Sequence, residues 1–122
     1  MRPRRLLAVL LLALCACAGS TASDSFELSE FSVLGPDHLD AGENAIAVTN
    51  NGLYTHTLVV TDSSGKVVGA TSLVQPGETA SLDVELAPGQ YSFTCRIVAE
   101  NSDGNLVDHY EAGMNALIQV GG

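Results

Sequence analysis

The chain predicts an all-β fold, a Greek-key β-sandwich of about seven to eight short strands. Three observations predict it. From residue 25 onward, apolar and polar residues alternate at period two in short runs. Gly, Pro, Asn and Asp recur between those runs as turn formers. No stretch sustains the 3.6-residue period of an amphipathic helix. Of the 122 residues, 25–122 are available for the fold, enough for one modest core.

The first 17 residues stand apart from that domain. Arg2, Arg4 and Arg5 form a basic start, Leu6 to Leu14 is an unbroken apolar run, and small residues follow at Ala16, Ala18 and Gly19. This is the pattern of a secretory signal peptide, and its apolar run is too short to span a bilayer. Leu14-Cys15-Ala16-Cys17 resembles a lipoprotein box, with Cys17 lipidated and retained. Soluble export, with cleavage after Ala16-Cys17-Ala18, is the alternative. The preferred reading is a periplasmic or cell-envelope lipoprotein, with a flexible tether over residues 18–24 and the domain over 25–122.

Phe26 and Leu28 open the domain in one phase and Phe31 and Val33 continue in the other, so a bulge or kink is expected at Ser29-Glu30. Ala45 to Thr49 is the next strand, and Asn50-Asn51-Gly52 turns the chain. His56 to Thr61 follows, with His56, Leu58 and Val60 on one face. Asp62-Ser63-Ser64-Gly65 then makes a hairpin into Lys66 to Gly69, which residues 70–73 either extend or follow as a separate piece. After the Gln75-Pro76-Gly77-Glu78 turn, Leu82, Val84 and Leu86 alternate with Asp83 and Glu85, giving one buried and one wet face. Ala87-Pro88-Gly89 turns into a strand with Tyr91, Phe93 and Cys95 in phase. The last strand carries Met114, Ala116, Ile118 and Val120 in phase.

Charge narrows the functions. All fourteen acidic residues lie at Asp24 or beyond, against only Lys66 and Arg96, an excess of twelve negative charges once the signal segment is removed. That opposes binding to nucleic acid or to an anionic membrane face. It is compatible with a protein partner that docks through a basic face; contact with a membrane is expected only through the lipid anchor. Cys15 and Cys17 belong to the export segment, so Cys95 is the domain's one thiol in an oxidising compartment where thiols ordinarily pair.

Three further side chains can gather around that thiol. Cys95 ends a strand, and His109 and Met114 sit at the far end of the loop that follows, with four residues between them. His56 begins a strand just after the Asn51-Gly52 turn. All four can meet at one pole of a sandwich. Taken singly, His109 reads as a solvated loop histidine, Met114 as core filler, Cys95 as a buried structural thiol and His56 as a cross-strand surface residue. Taken together they are the two-imidazole, thiolate and weak thioether set that selects copper for electron transfer. Zinc also takes Cys and His, but a structural zinc site wants four strong ligands and Met is not one. A hydrolytic triad lacks a nucleophile elbow. A full protein ligand set leaves no open position for a substrate, so no enzyme is expected. His38, in a polar loop, reads as solvated.

The chain resembles the small cupredoxins, the plastocyanin, azurin and pseudoazurin group. The resemblance rests on Asn51-Gly52 before His56-Thr57-Leu58-Val59-Val60, on Leu86-Ala87-Pro88-Gly89-Gln90-Tyr91-Ser92-Phe93-Thr94-Cys95, on His109-Tyr110-Glu111-Ala112-Gly113-Met114, and on the closing strand Ala116 to Val120. It implies an eight-stranded sandwich holding one type 1 copper, cycling between Cu(I) and Cu(II), on His56, Cys95, His109 and Met114. It also implies a monomeric one-electron carrier that meets a redox protein partner. Copper delivery or buffering, and a metal-free accessory domain, are the alternatives. Two departures stand out. Residues 96–108 make an unusually long loop between Cys95 and His109, and Thr57 follows His56 where azurin-like chains often carry an Asn that stitches the ligand loops together.

Overall fold

The computed structural model describes residues 24–121. The signal peptide, the lipoprotein box and the tether up to residue 23 lie outside the described residues. Asp24, expected to end the tether, is instead the first residue of β1 and pairs with Ile46.

The described residues are all-β. In chain order the strands are β1 (Asp24–Ser29), β2 (Ser32–Leu34), β3 (His38–Leu39), β4 (Gly42–Asn50), β5 (Val59–Asp62), β6 (Val67–Ala70), β7 (Thr79–Leu86), β8 (Gly89–Thr94), β9 (Val98–Glu100), β10 (Leu106–Asp108) and β11 (Asn115–Val120). One sheet has the order β2-β1-β4-β7 and the other β3-β11-β8-β5-β6. β9 and β10 form a separate hairpin. The count exceeds the expected seven or eight because β2, β3 and the β9–β10 pair are pieces of two or three residues, too short to produce a readable alternation.

Alternation decides what is buried. In β4, Asn44, Ile46, Val48 and Asn50 point inward while Glu43 is exposed. In β7, Leu82, Val84 and Leu86 are buried and Asp83 and Glu85 exposed, as the sequence predicts. The sheets meet through Phe26 and Phe93, whose ring centroids lie 4.9 Å apart, with Leu28, Leu58, Val60, Ile118 and Val120 completing the layer. Each such buried side chain contributes about 1.5–3 kcal/mol relative to exposure.

Two expectations are corrected, and one open alternative is decided. At Ser29-Glu30 the chain does not bulge but reverses: β1 and β2 pair antiparallel with Ser29 opposite Ser32, and their hydroxyls are 2.8 Å apart. The opposite phases of Phe26 and Phe31 thus belong to two strands. The run from His56 is not continuous strand. His56 makes an isolated bridge to Val74, and regular pairing begins only at Val59. The bridge at Val74 also separates residues 71–74 from β6, which ends at Ala70.

Register sets the position of the candidate site. Thr94, the last residue of β8, pairs with Asn115 at the start of β11 and with Val59 at the start of β5. Cys95, Met114 and the segment leading from His56 therefore all leave the sheet at the same end.

Candidate metal centre

At that end four side chains are withdrawn from solvent: His56, Cys95 and Met114 are 0% exposed and His109 2%. His56 Nδ1 lies 3.1 Å from His109 Nδ1. Cys95 Sγ lies 3.6 Å from His109 Nδ1 and 3.9 Å from His56 Nδ1. The three donor atoms all fall within 4.8 Å of one another, so one ion could contact each of them. The imidazole rings cross at 62° with centroids 5.0 Å apart, which aims both nitrogens at one point without stacking the rings.

Backbone hydrogen bonds join the donors. Cys95 N–H donates to Met114 O at 3.2 Å, Met114 N–H to His109 O at 3.0 Å, and His109 N–H to Ile97 O at 2.9 Å. The turn between His109 and Met114 is closed by Gly113 N–H on Tyr110 O at 3.1 Å. Gly113 has a φ of +130°, and a Cβ there would stand 2.8 Å from Phe31 O, so the turn requires glycine. Met114 is thus tied through its backbone to both Cys95 and His109, with its side chain fully enclosed in the core.

His56 is held differently. Its backbone exchanges two hydrogen bonds with Val74, at 3.1 and 2.8 Å. Its ring Nε2 lies 2.9 Å from Glu30 Oε1. The Glu30 carboxylate also accepts from Leu53 N–H at 2.9 Å and from Tyr54 N–H at 2.9 Å. Asn50, fully buried, donates from Nδ2 to Tyr54 O (2.7 Å) and Val74 O (2.8 Å), and accepts from Gly52 N–H (2.8 Å). These bonds hold the His56 loop on itself and on Val74, and none of them reaches the segment from Cys95 to Met114. Thr57 acts on the thiol instead: its amide donates to Cys95 Sγ at 3.4 Å, and its hydroxyl oxygen stands 3.9 Å from the sulfur.

Electrostatics favour neutral imidazole at His109. Burial lowers its pKa below the ordinary 6.5, and the neighbouring His56 lowers it further, against weaker opposing pulls from Glu30 and Asp108. Burial alone would raise the Glu30 pKa. The Leu53 and Tyr54 amides and His56 outweigh it, holding the carboxyl below its ordinary value.

The structure therefore brings together His56, Cys95 and His109 as side-chain donors and seats Met114 beside them in the chain. His38 is exposed, as expected. The reading of the sequence missed Glu30 and Asn50. Nothing in strand periodicity marks Glu30, but Asn50 is in phase with the buried residues of β4, and a buried polar position next to a ligand loop was a readable signal. The long loop is not a bare spacer. It forms the β9–β10 hairpin, whose turn is closed by Asn101 Oδ1 accepting from Asp103 N–H and Asn105 N–H at 3.0 Å each. The hairpin is joined to the ligand turn by Arg96 lying 4.1 Å over the Tyr110 ring.

The donor set fits a copper ion: two imidazole nitrogens, one thiolate sulfur receiving an amide hydrogen bond, and a methionine next in the chain. Comparison with known proteins agrees with that fit. The family model described as a cupredoxin-like domain matches residues 4–107, a span that includes His56 and Cys95 and stops before His109 and Met114. No curated protein matches the chain. Among solved structures, dithionite-reduced auracyanin from Roseiflexus castenholzii is similar at 17% identity over 80% of this chain and 95% of its own, with a TM-score of 0.62. An azurin, iso-2, from Methylomonas sp. strain J is similar at 11% identity over 80% and 96%, TM-score 0.59. Auracyanin A from Chloroflexus aurantiacus, described as a "blue" copper protein, is similar at 15% identity over 79% and 97%, TM-score 0.57. At these identities the structural likeness is one of fold. With most of its length matched by the family model and its fold shared with these proteins, the chain belongs to the cupredoxin-like domain family.

Proposed function

We propose that this protein is an exported mononuclear type 1 copper protein that carries single electrons. The observation that carries the reading is the buried trio of His56 Nδ1, His109 Nδ1 and Cys95 Sγ within 4.8 Å at one pole of the sandwich. In this reading His56, Cys95 and His109 would hold the ion strongly and Met114 would contact it weakly. Copper supplies the exchange between Cu(I) and Cu(II) at a thiolate-bound centre. The chain's own residues restrict how far that centre can rearrange. His56 is fixed by the Val74 bridge and Glu30, Cys95 by the end of β8 and the Thr57 amide, and His109 by the closed turn to Met114. Burial of all four side chains keeps bulk water from the centre.

The signal-like N-terminus supports export, and the excess of acidic residues supports a redox partner with a basic docking face. The test is a visible spectrum of the domain loaded with one equivalent of Cu(II). Intense absorbance near ~600 nm, or a shifted green or red counterpart, is expected from Cu–thiolate charge transfer. Cys95→Ser should abolish it. A colourless protein with ordinary square-planar copper spectra would sink the reading. Slow exchange of Cu(I) to a chelator favours carrying electrons over delivering the metal.

A further inference from the structure

We propose that Glu30 is a positioning and charge-setting residue of the metal centre: its carboxylate fixes His56 with the proton on Nε2 and Nδ1 free for the ion, and its charge favours Cu(II) over Cu(I). The proposal rests on the copper reading above and assigns a role to a residue far from the four ligands in sequence.

The geometry is specific. A carboxylate offers only acceptors, so the 2.9 Å contact between Glu30 Oε1 and His56 Nε2 places the ring proton on Nε2. Nδ1 then carries the free lone pair, and it is Nδ1 that faces Cys95 Sγ and His109. The 3.1 Å Nδ1–Nδ1 contact sets the His109 ring beside that lone pair. His56 is therefore preset as a ligand.

Glu30 is itself fixed. It sits in the two-residue reversal between β1 and β2 and is held by the Leu53 and Tyr54 amides. Room for it depends on Gly52, where a Cβ would stand 2.3 Å from Oε1. The carboxylate, the loop that leads to His56 and the imidazole thus form one hydrogen-bonded unit. A partner of this kind orients the ring and raises its basicity as a ligand. A fixed negative charge one imidazole away from the ion stabilises the more positive oxidation state.

Three variants test this. Glu30→Gln keeps the shape and removes the charge. Cu(II) affinity should fall about 10–100-fold, and Cu(I) affinity about tenfold less than that, so the midpoint potential rises by about 59 mV for each tenfold difference between the two. Glu30→Leu removes the acceptor. Nitrogen-15 NMR of the metal-free protein should then show His56 leaving the Nε2–H form that the wild type holds. Gly52→Ala retains the charge but displaces the carboxylate; it should move both readouts in the same direction by less, and it supplies them if Glu30→Leu fails to fold. An unchanged potential in Glu30→Gln overturns the charge-setting role, and an unchanged His56 tautomer overturns the positioning role. If the wild type binds no copper, the copper reading falls, while the tautomer of the metal-free protein still decides whether Glu30 positions His56.

Discussion

His56 and His109 bring the same kind of nitrogen to the same point, but the segments that carry them are built differently. Residues 50–57 contain no regular strand beyond Asn50, and distant side chains hold them: Glu30 on Leu53, Tyr54 and His56, and Gln75 on the Thr55 hydroxyl at 2.9 Å. Asn50 ties the same loop to Val74. Residues 96–114 are held mainly by their own neighbours. Asn101 closes the hairpin turn, Asp108 Oδ1 accepts from Tyr110 N–H, and Ala112 N–H returns to Asp108 O. A loop fixed from outside responds to changes far away in sequence. A self-closed module tolerates changes to its outer parts, as long as its junction with the sheet is kept.

Removing the external hold should have the largest effect. Asn50→Ala deletes three side-chain hydrogen bonds in a fully buried position and leaves Tyr54 O and Gly52 N–H short of partners, while Val74 O keeps only the His56 amide. A loss of about 2–4 kcal/mol is expected in denaturant unfolding of the metal-free domain, with weakened copper uptake because His56 is no longer fixed. A loss below about 1 kcal/mol would show that the loop holds itself, and the contrast with the hairpin would fail.

The hold from Glu30 should depend on pH. Its folded pKa lies below the ordinary 4.5, so the folded state binds fewer protons than the unfolded state in that range. Its contribution is complete above 4.5 and is lost as pH falls through the lower folded value. At neutral pH, Glu30→Gln should destabilise the metal-free domain by about 1–2 kcal/mol. The gap to the wild type should close in acid. A gap that stays constant down to pH 3 would mean that the carboxylate charge adds nothing to the hold.

Most of this contrast could not be read from the sequence. The sandwich could, because β4, β7, β8 and β11 alternate cleanly and one face of each is buried. So could the meeting of Cys95 with His56 and His109, because Cys95 is the domain's one thiol and both histidines lie on segments that return to the same pole. What escaped were interactions that strand periodicity does not encode. The reversal at Glu30-Phe31 looked like a kink because both sides keep a period of two and only the phase changes. Glu30 is a surface-type residue by pattern, and it becomes a partner of His56 only because β1 lies parallel to β4, whose end leads into the ligand loop. The hairpin in residues 96–108 escaped because its strands are three residues long and its side chains are largely exposed.

On the hairpin side, the junction should matter modestly. Arg96 is one of two basic residues at or beyond position 24, and it lies over Tyr110, which follows His109 directly. Arg96→Met keeps an apolar stem and loses the cation–π contact, so a loss of about 0.5–1 kcal/mol is expected. A small shift in the charge-transfer band should accompany it, because the Tyr110 turn seats His109. An unaltered band together with unaltered stability would place the junction elsewhere, at Ile97, whose carbonyl accepts from His109 N–H.

The outermost part of the hairpin should matter least, and it is the sharpest test of self-closure. Residues 101–105 connect Glu100 to Leu106, which are directly paired. Replacing those five residues by Asn-Gly supplies a two-residue turn matched to the twist of an antiparallel pair. The pairs Ala99–Val107 and Val98–Asp108 remain, as does the bond from His109 N–H to Ile97 O. Shortening a loop changes its closure entropy only as a logarithm of length, so stability should stay within about 0.5 kcal/mol of the wild type. Copper affinity, spectrum and potential should not move, since no donor or donor partner lies in the segment removed. An insertion of the same size between Asn51 and Thr55 should instead displace the Glu30 contacts and weaken copper binding. If the trimmed hairpin shifts the spectrum as much as that insertion does, His109 depends on the whole module, and both ligands are then positioned by structure well beyond their own turns.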